Sequence, residues 1–379
     1  MQEKSNGQFY APKGKVSPVC NPGEFPIGII GLDHGHIFGM CNGLVEAGAT
    51  IARVFDPDPA KVAQFRAQFP EAVPASSKEE ILEDHCIRLI ASAIVPSERC
   101  ALGLEVIAAG KHYFSDKPPF TTQAQVDIAR AAVTASCSAV HPQGVVWAVY
   151  YSERLHTEAS VYAQRLIEDG AIGRVVHISG WGPHRISIPT RPEWFFDRDY
   201  YGGILVDLGC HQIEQMLFFA GARDASISAS HVANYRFSQY ERFEDFGDAS
   251  LVMDNGAAGY FSVNWLTPEG LGAWGDGRTF IQGTEGYLEL RKYIDVAADP
   301  EGDHVILVNN EGEYHFRAAG TCGFPFFGKL VRDCLDGTHT AQDQELVFRA
   351  AELSIMAQTK AQRIVLRTSP SKEASGVLF

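Results

Sequence analysis

The segment PIGIIGLDHGHIFGMCNGLVEAG, residues 26–48, decides the fold class of this chain. It opens with a short apolar run typical of a buried strand, and from Ile37 onward its apolar residues have helical spacing. The two parts are joined by the turn Gly31-Leu32-Asp33-His34-Gly35-His36. Strand, glycine turn and helix in this order predict a dinucleotide-binding unit, in which free backbone amides at the helix start meet a pyrophosphate.

The glycine turn alone leaves two interpretations open. Asp33 and His36 replace two glycines of the GxGxxG pattern, and a purely structural turn explains Gly31 and Gly35 equally well. The second strand ends in Asp56, where a carboxylate can accept the ribose hydroxyls of a dinucleotide. The alternative is that Asp56 belongs to the N-cap of the next helix. Because a carboxylate there repels a 2′-phosphate, we expect NAD rather than NADP.

The rest of the chain divides into two regions that differ in their pattern of apolar and polar residues. Up to about Ser136, short apolar runs alternate with helical stretches, as in a parallel sheet. A second region opens with a strand near Val145, and beyond Val175 longer alternating strands predict a mostly antiparallel sheet with one open face. We therefore predict an α/β chain: an N-terminal extension (1–24), a doubly wound Rossmann domain (25–144) and an α+β domain (145–379).

Within the second region, helices are predicted for residues 154–169, 203–221 and 326–362, before a closing strand IVLR. The N-terminal extension has no periodicity, so we expect it to be flexible or loosely docked, and we assign it no function.

Composition excludes several classes of protein. The net charge of −14 is spread over 379 residues, which argues against nucleic acid as a partner. No apolar run approaches the roughly 18 residues of a membrane helix, and the N-terminus lacks the apolar core of a secretory signal. We expect a cytoplasmic protein that has no membrane partner. The eight cysteines form no CxxC pair, so neither a zinc cluster nor a disulfide framework is predicted.

Two further segments carry candidate chemistry. The fourth strand ends in Ser115-Asp116-Lys117-Pro118, where Lys117 would project toward the nicotinamide end of the crevice; a surface lysine is the alternative. In the segment YGGILVDLGCH, residues 201–211, Asp207 and His211 are four apart and share one helical face. Histidine supplies a base near neutrality that a carboxylate can orient. A satisfied buried pair or a metal half-site remains possible.

These motifs, taken in order, resemble the glucose-fructose oxidoreductase / inositol dehydrogenase / MocA family of sugar and polyol dehydrogenases. GAIG at residues 170–173 and GTEG at 283–286 add to the resemblance, which covers residues 26–366. It implies that Lys117, Asp207 and His211 are catalytic. It places the cofactor on Gly31, Leu32, Asp33, His34, Gly35, His36, Asp56, Pro96, Asp116, Lys117 and Pro118.

Two positions depart from the family pattern. Asp116 replaces the usual glutamate before the lysine, and Cys100 stands where a histidine commonly follows the Pro96 segment. A homodimer or homotetramer through the open sheet face is also implied by the resemblance.

The segment at residues 182–197, rich in aromatic and polar side chains, predicts a substrate wall, although an interface loop is an equal alternative. Here Arg191 and its neighbours would bind hydroxyls or a carboxylate. The substrate-binding candidates are Tyr151, Arg154, His184, Arg185 and Trp194.

The function expected is an NAD-dependent dehydrogenase that oxidises a secondary hydroxyl of a sugar, polyol or glycoside. Two alternatives stay open: a redox-neutral enzyme with tightly bound NAD that acts on glycosides, and a catalytically silent NAD-binding sensor. A metal-dependent hydrolase is more distant, because His34, His36 and His211 lack further ligands at metal-binding spacing. No metal is predicted.

Overall fold

The structure is a computed structural model that describes residues 7–137 and 144–365. Its first sheet has six parallel strands: β1 (Pro26–Ile30), β2 (Thr50–Phe55), β3 (Val73–Pro74), β4 (Leu89–Ser92), β5 (His112–Asp116) and β6 (Trp147–Tyr150). The helices between these strands are α1 (His36–Glu46), α2 (Pro59–Gln68), α3 (Lys78–Leu82), α4 (Arg99–Ala108) and α5 (Gln123–Ala135).

The strand order in this sheet is β3-β2-β1-β4-β5-β6. The chain runs outward in one direction from β1 to β3, then returns and runs outward in the other direction from β4. Ligands of open parallel sheets bind at this reversal, beyond the carboxyl ends of the strands. The predicted Rossmann sheet is confirmed, and the crevice lies beside the glycine turn that follows β1.

The strand predicted near Val145 belongs to this first sheet and not to the second region. β6 pairs in parallel with β5, with Tyr113 opposite Trp147 and Asp116 opposite Tyr150. All four of its residues are buried, as expected for a strand covered on both faces. The change from parallel to antiparallel pairing therefore comes after Tyr150.

The second sheet has nine strands and confirms the predicted, mostly antiparallel sheet. They are β7 (Val175–Pro183), β8 (Ala225–Ala233), β9 (Phe246–Met253), β10 (Ala258–Asn264), β11 (Arg278–Gly283), β12 (Gly286–Arg291), β13 (His304–Asn309), β14 (Gly312–Arg317) and β15 (Gln362–Arg363). Their order is β14-β13-β12-β11-β7-β10-β9-β8-β15, and only β7/β10 and β8/β15 pair in parallel.

The helices of the second region are α6 (Ser152–Leu155), α7 (Glu158–Glu168), α8 (Arg198–Tyr201), α9 (Ile204–Asp207), α10 (Gly209–Ala220), α11 (Pro325–Asp336) and α12 (Gln344–Lys360). Of these, α7, α9, α10 and α12 pack against one face of the second sheet, whereas α11 packs against α1. Glycines let α10 approach closely, since a Cβ on Gly180 would lie 2.2 Å from the Gln212 side chain. The other face exposes Trp181, Val252 and Tyr260.

Three long predicted helices are each divided in two. Residues 154–169 form α6 and α7, residues 203–221 form α9 and α10, and residues 326–362 form α11 and α12. The buried Asp333 carboxylate of α11 accepts from Thr338, Thr340 and Ala341, which lie in the segment between α11 and α12. The predicted strand IVLR begins later than β15, and its last two residues lie outside the described ranges.

Within residues 7–137 and 144–365, no helix combines the length and the apolar character that a bilayer crossing requires. All eight cysteines fall in these ranges as free thiols.

Candidate active site

The candidate site lies where the carboxyl ends of β1, β4 and β5 face the second sheet. Lys117 follows β5, His211 is in the first turn of α10, and His184 and Arg191 follow β7. These four side chains line one small cavity of about 30 Å³. The structure thus brings together residues that are up to 94 positions apart in the chain.

Lys117 and Asp207 form a buried ion pair. The Lys117 Nζ donates to Asp207 Oδ1 at 2.8 Å and to the Asp207 backbone oxygen at 3.0 Å. Their side chains are 5% and 11% exposed. Burial alone would lower the pKa of Lys117, but the Asp207 carboxylate outweighs it and raises this pKa above its usual range. Lys117 is therefore a cation at neutral pH.

His211 lies beside this pair without a hydrogen bond to it among the described residues. Its Nδ1 is buried with no partner there, and the Tyr151 ring meets it edge-on at 6.2 Å between ring centres. Burial holds the pKa of His211 well below its usual range, although Glu153 opposes this shift. The expected Asp207–His211 unit is instead a Lys117–Asp207 pair next to a neutral imidazole.

Glu153 is a site residue that the sequence analysis missed. It lines the same cavity, and its Oε2 accepts from Gln212 Nε2 at 2.8 Å and from Lys292 Nζ at 3.1 Å. Burial would raise the pKa of Glu153, but the Lys292 ammonium lowers it below its usual range. No local pattern identifies this residue, because Lys292 is 139 positions away.

At the glycine turn, Gly31 adopts a left-handed conformation (φ 82°) that favours glycine. The Asp56 carboxylate accepts from Leu32 N at 2.7 Å and from Asp58 N at 2.9 Å. The helix N-cap is Asp58, whose side chain accepts from Ala60 N at 2.8 Å. Asp56 therefore braces the cofactor turn and does not cap α2 itself.

His34, His36 and Asp116 form a cluster at the end of the turn. Asp116 Oδ1 lies 2.8 Å from His36 Nδ1, and Asp116 Oδ2 accepts from the buried Arg99 at 2.9 Å. Burial would raise the pKa of Asp116, but His36 and Arg99 keep it well below its usual range. Potential ligand atoms of the three residues lie within 4.8 Å of one another. Arg99 already neutralises the carboxylate that a cation would need.

The two prolines among the expected cofactor residues flank this cluster. The buried Pro96 begins a 3₁₀ turn after β4, and the Pro118 carbonyl oxygen accepts from Arg99 at 3.1 Å.

The N-terminal extension is docked more closely than expected. Gly7–Cys20, here called the arm, runs along α1: Val19 N donates to the Ala47 oxygen at 2.9 Å, and Gly14 N donates to the Glu46 carboxylate. The Tyr10 ring packs 5.8 Å from the Trp274 ring and 5.5 Å from the Tyr293 ring.

The tip of the arm reaches the cofactor turn itself. A Cβ on Gly35 would lie 2.6 Å from the Gln8 oxygen. Gly7, Gln8 and Tyr10 line the same cavity as Lys117 and His211. The arm therefore lies against the candidate site.

The other expected substrate residues lie away from the cavity wall. Tyr151 is buried behind His211, and Arg154 pairs with Glu214 under the ring of Phe218. Arg185 is 1% exposed, with contacts to the oxygens of Pro268 and Leu271, and Trp194 packs on Phe195. His184 does line the cavity, and burial lowers its pKa to about 4.

Comparison with known families matches both regions of the chain. Residues 25–141 match the oxidoreductase family with an NAD-binding Rossmann fold, and residues 160–289 match the GFO/IDH/MocA C-terminal domain. A solved structure from Erwinia carotovora atroseptica SCRI1043, assigned to an oxidoreductase, is 44% identical with a TM-score of 0.86. It covers 90% of this chain and 100% of its own.

Two curated relatives are more distant. D-xylose dehydrogenase of Paenarthrobacter nicotinovorans is 26% identical over 158 residues, which is 40% of this chain and 38% of the relative. A 1-carboxy-3-chloro-3,4-dihydroxycyclohexa-1,5-diene dehydrogenase of Comamonas testosteroni is 25% identical over 233 residues, which is 61% of this chain and 56% of the relative. The chain thus spans about half the length of these curated relatives, or less.

Proposed function

Because this chain belongs to the GFO/IDH/MocA oxidoreductase family, we propose that it is a dehydrogenase that oxidises a secondary hydroxyl of a sugar, polyol or glycoside with NAD. The observation that carries this proposal is the buried Lys117–Asp207 pair beside a neutral His211 at the carboxyl end of β5. The D-xylose dehydrogenase relative supports a sugar-like substrate.

The residues of the turn fit a dinucleotide. In the part of the chain that the structure describes, the amides of Asp33 and Gly35 donate no hydrogen bond to the protein, so they are available to a pyrophosphate. Asp56 lies at the end of β2, where ribose hydroxyls are bound in such folds. When bound, the nicotinamide supplies the acceptor for hydride.

The reaction then depends on two proton-handling side chains. We expect the neutral His211 to accept the proton of the substrate hydroxyl, because its low pKa keeps it unprotonated at neutral pH. Lys117 donates a charged hydrogen bond to the developing alkoxide oxygen, and Asp207 keeps Lys117 protonated and fixed in place.

NAD is favoured over NADP by the charges around the ribose position. Arg53 is already paired with Glu80 and Asp84, and Lys61 Nζ lies 2.5 Å from Asp33. The Asp56 carboxylate would repel a 2′-phosphate. These three observations support NAD as the cofactor.

The test is NADH formation at 340 nm with a panel of sugars, inositols and glycosides, with NAD and NADP in parallel. Lys117→Ala should lower turnover by about 100-fold or more while NAD still binds. Lys78→Ala, an exposed lysine paired with Glu105, is the matched control and should behave like wild type.

Equal turnover in wild type and Lys117→Ala would sink the proposal. NAD binding without NADH formation in either protein would favour the redox-neutral enzyme or the silent sensor.

We also propose that a second copy covers the open face of the second sheet. Trp181 is 51% exposed there. Its partner in β10 is Ser262, and the partner of Val252 is Ala258. Because residues 258, 260 and 262 of a strand point to the same side, Trp181, Val252 and Tyr260 share this face. Light scattering should report a dimer or tetramer that Trp181→Glu dissociates. A monomeric wild type would contradict this proposal.

A further inference from the structure

Arg191 is a cavity-lining cation that has no anionic partner among the described residues. It follows the 3₁₀ turn Ile188–Thr190 and lines the cavity with Lys117 and His211. Its Nε donates to the Ile186 oxygen at 2.9 Å. Across residues 7–137 and 144–365, its two terminal nitrogens have no hydrogen bond and no ion pair to the protein.

The aromatic residues around Arg191 fix the plane of its guanidinium. The guanidinium carbon lies 4.5 Å from the centre of the Phe195 ring and 5.0 Å from that of Trp265. Such contacts hold an arginine in place while its outer nitrogens stay available. Arg191 therefore presents a preoriented fork to the cavity.

Within the described residues, the fully buried arginines all have polar partners. Arg99 donates to Asp116 at 2.9 Å, and Arg154 pairs with Glu214. Arg185 donates to two backbone oxygens. Burial lowers the pKa of Arg191 to about 10, so it too is a cation at neutral pH. A half-buried cation without a partner is unfavourable until an anion reaches it.

The remaining charges around the cavity cancel in pairs. Lys117 pairs with Asp207, and Lys292 with Glu153. Asp116 is paired with Arg99, and burial lowers the pKa of His34, His184 and His211, which keeps them neutral at pH 7. One positive charge, that of Arg191, is left over.

We propose that the substrate is a sugar acid whose carboxylate binds Arg191 while its reacting hydroxyl lies between Lys117 and His211. This rests on the proposed function, because it uses the same site. A guanidinium binds a carboxylate through two parallel hydrogen bonds, which also fixes which hydroxyl reaches His211. The cofactor pyrophosphate is a second anion that Arg191 could bind. Arg191 is close enough to the glycine turn to lower the pKa of His34 by its charge.

Binding experiments on the full chain separate these sources. Tryptophan fluorescence titrations compare D-glucuronate, D-galacturonate and D-gluconate with neutral D-glucose and D-galactose, in the presence of saturating NADH. We expect the acids to bind at least about 10-fold more tightly. Arg191→Gln should remove this difference and leave the Kd of NAD within about twofold.

Two further variants keep the result interpretable. Arg191→Lys retains the positive charge but cannot donate two parallel hydrogen bonds, so it should keep part of the preference for acids that Arg191→Gln loses. Arg198→Gln removes an exposed nearby arginine that pairs with Glu244, and should change nothing. Thermal melts establish that each variant folds.

Equal affinity of wild type for acids and neutral sugars would overturn the inference. So would an Arg191→Gln variant whose NAD affinity falls while its acid preference remains, because the anion would then be the pyrophosphate. Acids that bind through Arg191 without any NADH formation would support the inference and contradict the proposed function. NADH formation from neutral sugars alone would support the proposed function and contradict the inference.

Discussion

At the scale of single residues, the ion pair between Lys117 and Asp207 sets the charge state of the site. Both side chains are almost completely buried, and the ammonium also donates to the Asp207 backbone oxygen. Removing one partner of such a pair leaves the other buried and uncompensated, which typically destabilises a protein by about 3–5 kcal/mol. Charge and position of Lys117 are therefore maintained by the same residue.

Replacing Asp207 should change how turnover depends on pH. In Asp207→Asn an amide oxygen still accepts from Lys117, but burial is no longer opposed by a negative charge, so the pKa of Lys117 falls. If charged Lys117 is needed, turnover of the variant declines as the pH rises toward 10, where wild type stays level. A kcat profile from pH 6 to pH 11 measures this.

Glu214→Gln is the matched control, because it removes a buried carboxylate that pairs with Arg154 away from the cavity. Identical alkaline profiles for wild type and Asp207→Asn would show that Asp207 does not control Lys117.

Residues with a local sequence signal were the ones that could be predicted. Lys117, at the end of a strand, and Asp207 and His211, four apart after a glycine pair, all line or border the cavity. Glu153 could not be predicted, because its partner Lys292 lies 139 positions further along the chain. That Arg191 has no anionic partner among the described residues could not be predicted from sequence spacing either, since it depends on the three-dimensional positions of the carboxylates.

At the scale of elements, the break between α9 and α10 coincides with the hydrogen bond from Lys117 to the Asp207 backbone oxygen. In one continuous helix, the Asp207 oxygen would accept from the amide of His211. Here it accepts from Lys117 Nζ at 3.0 Å, and His211 N donates to the Leu208 oxygen at 3.3 Å. The prediction of a single helix was wrong at Asp207, whose backbone oxygen is bonded to Lys117 instead of to the amide of His211.

The start of α9 offers a test of this placement. Gly203 has φ 100°, and a Cβ there would lie 2.3 Å from Gln358, whose Oε1 accepts from Leu205 N at 2.9 Å. We expect Gly203→Ala to destabilise the protein by about 2 kcal/mol or more and to lower kcat, because α9 carries Asp207. Urea unfolding and turnover measure both effects.

Gly221→Ala is the matched control, with φ 65° and no atom within 4 Å of the added Cβ. It should destabilise by about 1–2 kcal/mol without an effect on kcat. Equal losses of kcat in the two variants would contradict the role given to α9.

Strands were predicted more accurately than helix boundaries. Alternation and short apolar runs located β1, β2 and β5 within one or two residues, because each is bounded by turn residues. Helical periodicity located the helical segments but not the breaks within them, as at residues 337–343 between α11 and α12. The sheet to which β6 belongs could not be read from its apolar composition, since a strand buried on both faces fits either sheet.

At the scale of the whole molecule, the arm lines the cavity that the proposed substrate would enter. The cavity of about 30 Å³ holds only one or two water molecules. Sites for small ligands usually measure about 300–1,000 Å³. Tyr10 and Gln8 of the arm line this cavity, so we expect a sugar-sized molecule to enter only when the arm shifts. Docking of the arm and binding of the substrate are therefore linked equilibria.

Shortening the arm should speed up ligand binding. A variant that lacks residues 1–15 no longer has to displace Tyr10, so association of ligand and NAD should become faster and the apparent Kd lower. The same variant should be less stable, because Trp274 and Tyr293 lose apolar contacts. Stopped-flow fluorescence and thermal melts measure the two effects.

A variant that lacks only residues 1–6 is the control and should match wild type. Unchanged association rates after removal of residues 1–15 would mean that the arm does not restrict access.

The position of the arm also bears on how the protein is best produced. An amino-terminal polyhistidine tag would be joined to the chain only six residues before Gly7, which lines the same cavity as His34 and His36. Nickel carried over from purification could then bind imidazoles of the tag together with His34 and His36. Assays are better made with an affinity tag at the opposite terminus or with the tag cleaved off.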